Sequence, residues 1–409
     1  MAKKLIIAAH SARGFAQAAV ACGYQVITLD AFADADTQAF SVQTFKLKLN
    51  DFVLDVADFK RLFEEIALSI DLDEVEGFLY GSLFDNCPEL LAWVATQVRL
   101  LGNAPDVMKH SKSFDFFKLL DELGISHPEV LIYNQNYQPS FSHTTLQVLQ
   151  HLANRSTPVV RKRESTLTLK SKMDSRFREN DEIINNGENW LVKRLGGTGG
   201  THIKPATQAK EGDYFQRKIG GKPISMLFVA DGKTAHLIGF NEQFVAPTID
   251  MPYRFAGAVG GVILPSNVQE QFCHTAQQLT SALGLRGINS LDAILNGDEL
   301  WILELNPRLS ATFQLYPNLL PAHIQGCMCD LMTDLKHFER QANTSSAQLI
   351  IYADTLVNVP KDKKWPAWVV DIPSPNSVIA AGLPICTVLA TADNAQAATQ
   401  MVLERARSL

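Results

Sequence analysis

The hydrophobic pattern opens on a short apolar run, Leu5–Ala9, ending at His10-Ser-Ala-Arg-Gly14. Phe15–Ala21 then reads as helix, Gly23 stops it, and Tyr24–Leu29 is rich in β-forming residues and ends at Asp30. Strand, helix and strand in this order open a parallel sheet. Ala57–Ile70 has apolar residues at helical spacing, Gly77–Tyr80 is a further strand, and Pro88–Leu100 a further helix. Together they predict a small Rossmann-like α/β domain over residues 1–105, broken at Asn103-Ala-Pro-Asp106. A second unit, 106–215, begins with a helix over Ser113–Leu123 stopped by Gly124 and a strand over Val130–Tyr133. Asn134–Ser142 is polar and turn-rich, and Thr144–Ala153 returns to helical spacing.

Residues 161–185 interrupt this order. More than half of 161–182 is charged, with little apolar periodicity, which predicts a solvent-exposed, disordered insertion. From Trp190 the pattern is strand-rich: Trp190–Arg194, Phe215–Ile219, Ser225–Ala230, Thr234–Phe240, Ser290–Leu295 and Glu299–Leu305. Glu270–Leu283 is a helix ended by Gly284, and the tail is one strand, Leu383–Ala390, and one helix, Ala395–Ala406. Residues 216–409 form the third unit.

Composition narrows the function. In 409 residues, 46% hydrophobic and 20% charged, there is material for two or three buried cores. A net charge of −6 argues against a nucleic-acid partner. No apolar run approaches the roughly 18 residues that span a bilayer, so no membrane partner is expected. The N-terminus reads as a first strand rather than a signal peptide. Six cysteines without a CxxC pair read as free thiols of a cytoplasmic protein.

The strongest chemical signal is Asp292 followed by Glu304-Leu-Asn-Pro-Arg308. Asn296-Gly297-Asp298 is a hairpin turn, so the returning strand brings Glu304 and Asn306 back toward Asp292. Glu304 and Asn306 share parity and hence a sheet face, while Trp301, Leu303 and Leu305 are expected on the core face. Two carboxylates and one amide oxygen make a hard-oxygen site suited to Mg²⁺, with Mn²⁺ as a substitute. Arg308 offers a charged fork beside bound phosphates. The bland reading is a hairpin whose polar residues face solvent. The second signal is Lys193 on a strand before Gly196-Gly197-Thr198-Gly199-Gly200, whose free backbone N–H groups can wrap a phosphate. A dinucleotide fingerprint would need a helix next, and Thr201-His-Ile-Lys-Pro205 reads as extended chain, so a hairpin lid is expected. The third is an extended segment at Gln216–Ile219, able to hold a nucleobase edge.

In this order the residues resemble the ATP-grasp superfamily. The resemblance covers most of the chain and implies a pre-ATP-grasp domain followed by a two-lobed ATP-grasp fold. It implies that Lys193 and the Gly196–Gly200 loop hold the phosphates of ATP, with Lys112 as a second lysine. Adenine would meet Gln216 and the backbone of Lys218 and Ile219. Asp292, Glu304 and Asn306 correspond to the metal ligands, and Arg308 to an arginine that faces the reacting phosphate. Many members have glutamate where this chain has Gln216. The reaction implied is amide formation between a small-molecule acid and an amine through an acyl phosphate. Within the superfamily, His10-Ser-Ala-Arg-Gly14, Pro252-Tyr-Arg-Phe-Ala-Gly257, Gly287-Ile-Asn-Ser-Leu-Asp292 and Leu383-Pro-Ile-Cys386 resemble predicted carboligases. That branch includes the tyramine–glutamate ligase of methanofuran biosynthesis, which implies a role in one-carbon cofactor synthesis. His10, Ser11, Arg13 and Arg254 are the expected substrate contacts, against the bland reading of Arg254 as a surface arginine. A bicarbonate-using carboxylase and a non-catalytic nucleotide binder are the rivals; a homodimer is left open.

Overall fold

The structure is a computed structural model that describes residues 3–50, 52–132, 189–205, 209–329 and 344–409. The insertion expected at 161–185 lies outside the described residues, as do Asn134–Ser142 and the helix expected over Thr144–Ala153.

The first unit is built from β1 (Lys4–Ala9), α1 (Arg13–Ala21), β2 (Gln25–Asp30), α2 (Ala35–Phe40), β3 (Gln43–Lys46), α3 (Val56–Ser69), β4 (Val75–Tyr80), α4 (Pro88–Ala95) and β5 (Leu100–Leu101). Its sheet is parallel throughout, in the order β3-β2-β1-β4-β5. Strand β1 is apolar on both faces because both are covered. Leu5 and Ile7 enter one core and Ile6 and Ala8 the other. The first core also contains Leu227, Ile288 and Phe313 from the far end of the chain, so the α/β unit packs directly on the third unit. Asn103 fastens the same join. Its amide nitrogen donates to Asn289 Oδ1 (2.8 Å), Arg286 O (3.0 Å) and Pro307 O (3.0 Å), and its oxygen accepts from Arg286 N (2.7 Å). The helix expected over Pro88–Leu100 stops at Ala95, and Leu100 belongs to an edge strand.

After α5 (Pro105–Ser111) and α6 (Phe114–Glu122) comes a small antiparallel sheet. Its strands are β6 (Val130–Ile132), β7 (Trp190–Arg194), β8 (Lys204–Pro205) and β9 (Asp213–Arg217), in the order β8-β7-β9-β6. The large unit follows with β10 (Lys222–Asp231), β11 (Ala235–Val245), β12 (Phe255–Gly260), α7 (Ser266–Leu283), β13 (Arg286–Asn296), β14 (Glu299–Asn306) and α8 (Leu319–Cys327). It ends with β15 (Ser345–Tyr352), β16 (Val369–Val370), β17 (Pro384–Ala392) and α9 (Ala395–Arg407). Its eight strands run β14-β13-β10-β11-β12-β15-β17-β16. The architecture is thus mixed α/β: a Rossmann-like domain, then two antiparallel lobes.

One expectation about faces is corrected. Pairing slips between Asp292 and Ala293, where Asp292 opposes Glu304 but Ala293 opposes Ile302. Leu303 is the extra residue of a bulge, which reverses the alternation. Leu300, Ile302 and Leu305 therefore fill the core, and Trp301 and Leu303 do not. No helix among the described residues is long and apolar enough to cross a membrane.

Candidate functional site

A cleft of about 540 Å³ opens where the three units meet. Its floor is the β13–β14 hairpin. Asp292 and Glu304 are cross-strand partners, and Asn306 opposes Ser290 two residues further on. Because the bulge turns Leu303 outward, that side chain also lines the cleft.

The polar side chains on this floor form one network. Lys112, the residue that ends α5, ion-pairs with Glu304 and donates to Asn306 Oδ1 at 2.8 Å, and it lies 3.5 Å from Asp85. Arg308 grips Asp85 with both arms, Nε to Oδ1 at 3.0 Å and Nη2 to Oδ2 at 2.8 Å, and Nη2 also donates to Asn306 Oδ1 at 2.8 Å. Asn306 Nδ2 donates to Asp292 Oδ2 at 3.0 Å, and Gln243 Nε2 to Asp292 Oδ1 at 2.9 Å. Burial pushes the Asp292 carboxyl up to about 6, and the facing Glu304 pushes the same way. Burial also acts to raise Asp85, but Arg308 and then Lys112 outweigh it and hold that carboxyl below its ordinary value.

Above the floor sits Lys193 on β7, 7% exposed, its ammonium without a hydrogen-bond acceptor among the described residues. Burial lowers its pKa against the pull of Glu304 and Asp292. An unpaired lysine in a half-enclosed polar cleft suits a diffuse anion. The loop that follows is the turn of the β7–β8 hairpin, in agreement with the hairpin expected there. It is docked at both ends. A Cβ on Gly196 would come within 2.9 Å of Asp85 O, and one on Gly200 within 1.9 Å of Tyr253 O; both residues have positive φ. Phe255 N donates to Gly199 O at 2.9 Å. His202 folds under Gly197; burial, then Lys193, pushes its imidazole down to about 4, so the ring is neutral.

His10, Ser11 and Arg13 lie at the C-terminal edge of the parallel sheet, where open α/β sheets bind ligands, and Arg254 lies just before β12 of the large sheet. His10 Nδ1 pairs with Ser82 Oγ at 3.0 Å. Ser11 Oγ donates to Asp371 at 2.8 Å, and Arg13 Nε to the same carboxylate at 3.1 Å. Arg254 is no surface arginine: it is 7% exposed, lies 3.7 Å from the centre of the Tyr352 ring and donates to the Ala246 and Gly382 carbonyls. All four line the cleft.

Gln216, Lys218 and Ile219 are not brought to the cleft wall. Strand β9 ends at Arg217 rather than Ile219. Gln216 faces inward at 1% exposure, its Nε2 without a partner among the described residues, and Lys218 N donates to Asn189 O at 2.7 Å. Conversely, Asp85, Gln243, His202 and Asp371 join the site without having been singled out in the sequence. For Asp85 the only available signal was its place just past a parallel strand, at Gly81-Ser-Leu-Phe-Asp85.

The donor set fits a divalent cation. Two facing carboxylates converge there, and the Asp292 carboxyl stays raised by burial and by Glu304 although Lys112 and Arg308 pull it the other way. Asn306 is the exception, because both lone pairs of its oxygen already accept, from Lys112 and Arg308. It can ligate a metal once Lys112 withdraws.

A chain with these lobes and this floor has the ATP-grasp fold, and residues 157–312 match the ATP-grasp domain; the chain carries that domain. Solved structures agree in fold across its whole length. The biotin carboxylase domain of the Hydrogenobacter thermophilus 2-oxoglutarate carboxylase, in complex with MgADP, ADP and bicarbonate, matches with TM-score 0.68 at 10% identity, over 99% of this chain and 89% of that one. The L-amino acid ligase of Bacillus licheniformis matches with TM-score 0.63 at 12% identity, over 98% and 96%. The N5-carboxyaminoimidazole synthase of Aspergillus clavatus, with ADP and its ribonucleotide, matches with TM-score 0.65 at 12% identity, over 100% and 99%. By sequence, an uncharacterised protein of Methanocaldococcus jannaschii is 23% identical over 210 residues, 49% of this chain and half the length of that relative.

Proposed function

We propose that the chain is an ATP-dependent carboxylate–amine ligase that forms an amide through an acyl phosphate. The observation that carries this is the convergence of Lys112, Lys193 and Arg308 with Asp292, Glu304 and Asn306 beneath a docked glycine loop. ATP is the phosphoryl donor. Asp292, Glu304 and Asn306 would hold Mg²⁺ (or Mn²⁺), which supplies charge neutralisation to the triphosphate. Lys193 and the backbone N–H groups of Gly196, Gly197, Thr198, Gly199 and Gly200 hold the phosphates. Arg308, fixed in orientation by Asp85, faces the group in transfer and offsets its charge. Lys112 serves either the floor carboxylates or the phosphates. The docked loop keeps water from the acyl phosphate until the amine attacks. The adenine would meet Gln216 and the backbone of Lys218 and Ile219 at the hinge only if the end of β9 closes onto the cleft, which it does not line here. His10, Ser11, Arg13 and Arg254 face the acid and amine.

The finer reading is a role in building a methanofuran-like or tetrahydromethanopterin-linked one-carbon cofactor, in the cytoplasm, by a chain that can act as a homodimer. Support for it is the motif resemblance. The rival is a carboxylase that takes bicarbonate, the anion in the Hydrogenobacter complex. ADP release with glutamate and a panel of amines separates the readings. The ligase needs both an acid and an amine. Release that needs bicarbonate alone makes it a carboxylase, and no release under any condition makes it a binder.

A further inference from the structure

The ammonium of Lys112 sits among three oxygens of the cleft floor. It ion-pairs with Glu304 Oε1, donates to Asn306 Oδ1 at 2.8 Å and lies 3.5 Å from Asp85 Oδ2. An ammonium has three donors and no acceptor, so these three partners match its capacity. Two of them, Glu304 and Asn306, belong to the trio expected to hold the metal. The Lys112 side chain is 6% exposed, so the contact is made where solvent screens little.

The third member of the trio is engaged differently. Asp292 accepts only from neutral amides, Gln243 Nε2 on Oδ1 and Asn306 Nδ2 on Oδ2, and each oxygen keeps a lone pair for a cation. Asn306 Oδ1 keeps none, because Lys112 and Arg308 take both. Arg308 is held in place by both arms on Asp85. Lys112 is the group that can clear the oxygen. Its charge rides on a four-carbon stem with rotatable bonds, and Asp85 keeps Arg308 when Lys112 leaves. A dication on Glu304 and Asn306 would stand within a few ångströms of the ammonium, and like charges so close in a buried site repel strongly. Metal and ammonium therefore exclude each other. Phosphates decide between them. Lys112 lines the same cleft as Lys193 and the glycine loop, so an entering polyphosphate offers the ammonium new acceptors and the metal its remaining oxygen ligands.

We propose that Lys112 is an internal stand-in for the metal: it holds Glu304 and Asn306 against a free divalent cation and yields them when phosphates enter, so that metal and nucleotide bind as a coupled pair. The proposal rests on the metal reading above. The coupling is reciprocal, because whatever factor phosphate adds to metal affinity, metal adds to phosphate affinity. A floor built in this way stays closed to the free ion and assembles around bound nucleotide.

The test titrates the full chain with Mn²⁺ alone, followed by loss of the free-ion electron paramagnetic resonance signal, in wild type, Lys112→Met, Lys112→Gln and Lys193→Met. Both Lys112 variants are expected to bind Mn²⁺ about tenfold or more tightly than the wild type, the scale of freeing the ligands from one charge-assisted hydrogen bond. Lys193→Met removes a buried charge from the same cleft that donates to none of the three ligands, and it is expected to gain much less. Asp292→Asn, added to Lys112→Met, is expected to cancel the gain. No gain in either Lys112 variant, an equal gain in Lys193→Met, or a gain that survives Asp292→Asn overturns the proposal. The metal reading is checked apart, with the Mn²⁺ complex of a non-hydrolysable ATP analogue, which is expected to bind the wild type more tightly than Asp292→Asn. With that difference present and the Lys112 gain absent, this proposal falls alone; with the difference absent, the metal reading falls and takes the proposal with it.

Discussion

Arg308 and Asp85 are 223 residues apart and meet in a two-armed, fully buried ion pair, with N–O distances of 3.0 and 2.8 Å. This contact joins the α/β domain to the floor of the nucleotide lobe. It also fixes the plane of the guanidinium that we place beside the transferring phosphate. Removing one partner of a buried pair leaves the other charged and unpaired, which costs about 3–5 kcal/mol. Asp85→Asn is therefore expected to lower the melting temperature and to cut kcat by about 10²-fold or more, the scale of losing one aligned charge donor. A normal kcat in a folded Asp85→Asn protein would separate the pair from catalysis.

Glu304 differs. Its side chain is about one-third open to the cleft, and its partner Lys112 keeps Asn306 and Asp85 when the carboxylate is lost. Glu304→Gln is expected to abolish turnover while shifting thermal unfolding little. A large loss of stability in calorimetry would give Glu304 a structural role instead.

The lid is tested through Gly200. An added Cβ there lies 1.9 Å from Tyr253 O, on a backbone with φ +68°. Gly200→Ala is expected to undock the loop, to raise KM for ATP about tenfold or more, and to increase ADP release uncoupled from amide formation. Coupled release at the wild-type KM would show that the loop docks elsewhere.

Asp34 gives a pH dependence of inverted sign for a carboxylate. Its folded pKa is raised from 3.8 to about 9, so between those values the folded state binds more protons than the unfolded state. Stability from this group is present at low pH and is lost as pH rises through that window. Asp34→Asn is expected to raise the unfolding midpoint at pH 8 and to raise it less at pH 5. An equal effect at both would place the titration elsewhere.

What was legible in the sequence was local. The β13–β14 hairpin follows from Asn296-Gly297-Asp298 between two β-rich runs, and the face shared by Glu304 and Asn306 follows from parity. The bulge at Leu303 lies in the same strand and leaves no mark in the residue pattern, so Trp301 and Leu303 were assigned to the wrong face. Strand β12 is Phe-Ala-Gly-Ala-Val-Gly, too poor in β-branched residues to read as a strand, yet it lies between two longer strands that impose its pairing. Asp85, Gln243 and Asp371 enter the site from three distant segments, and only tertiary packing brings them together.

The most direct test of the acyl phosphate follows the oxygen atoms. With a substrate acid labelled with oxygen-18 in its carboxylate, and an amine that supports ADP release, the account predicts one labelled oxygen in the inorganic phosphate per amide formed. Amide formation that leaves the phosphate unlabelled would contradict it.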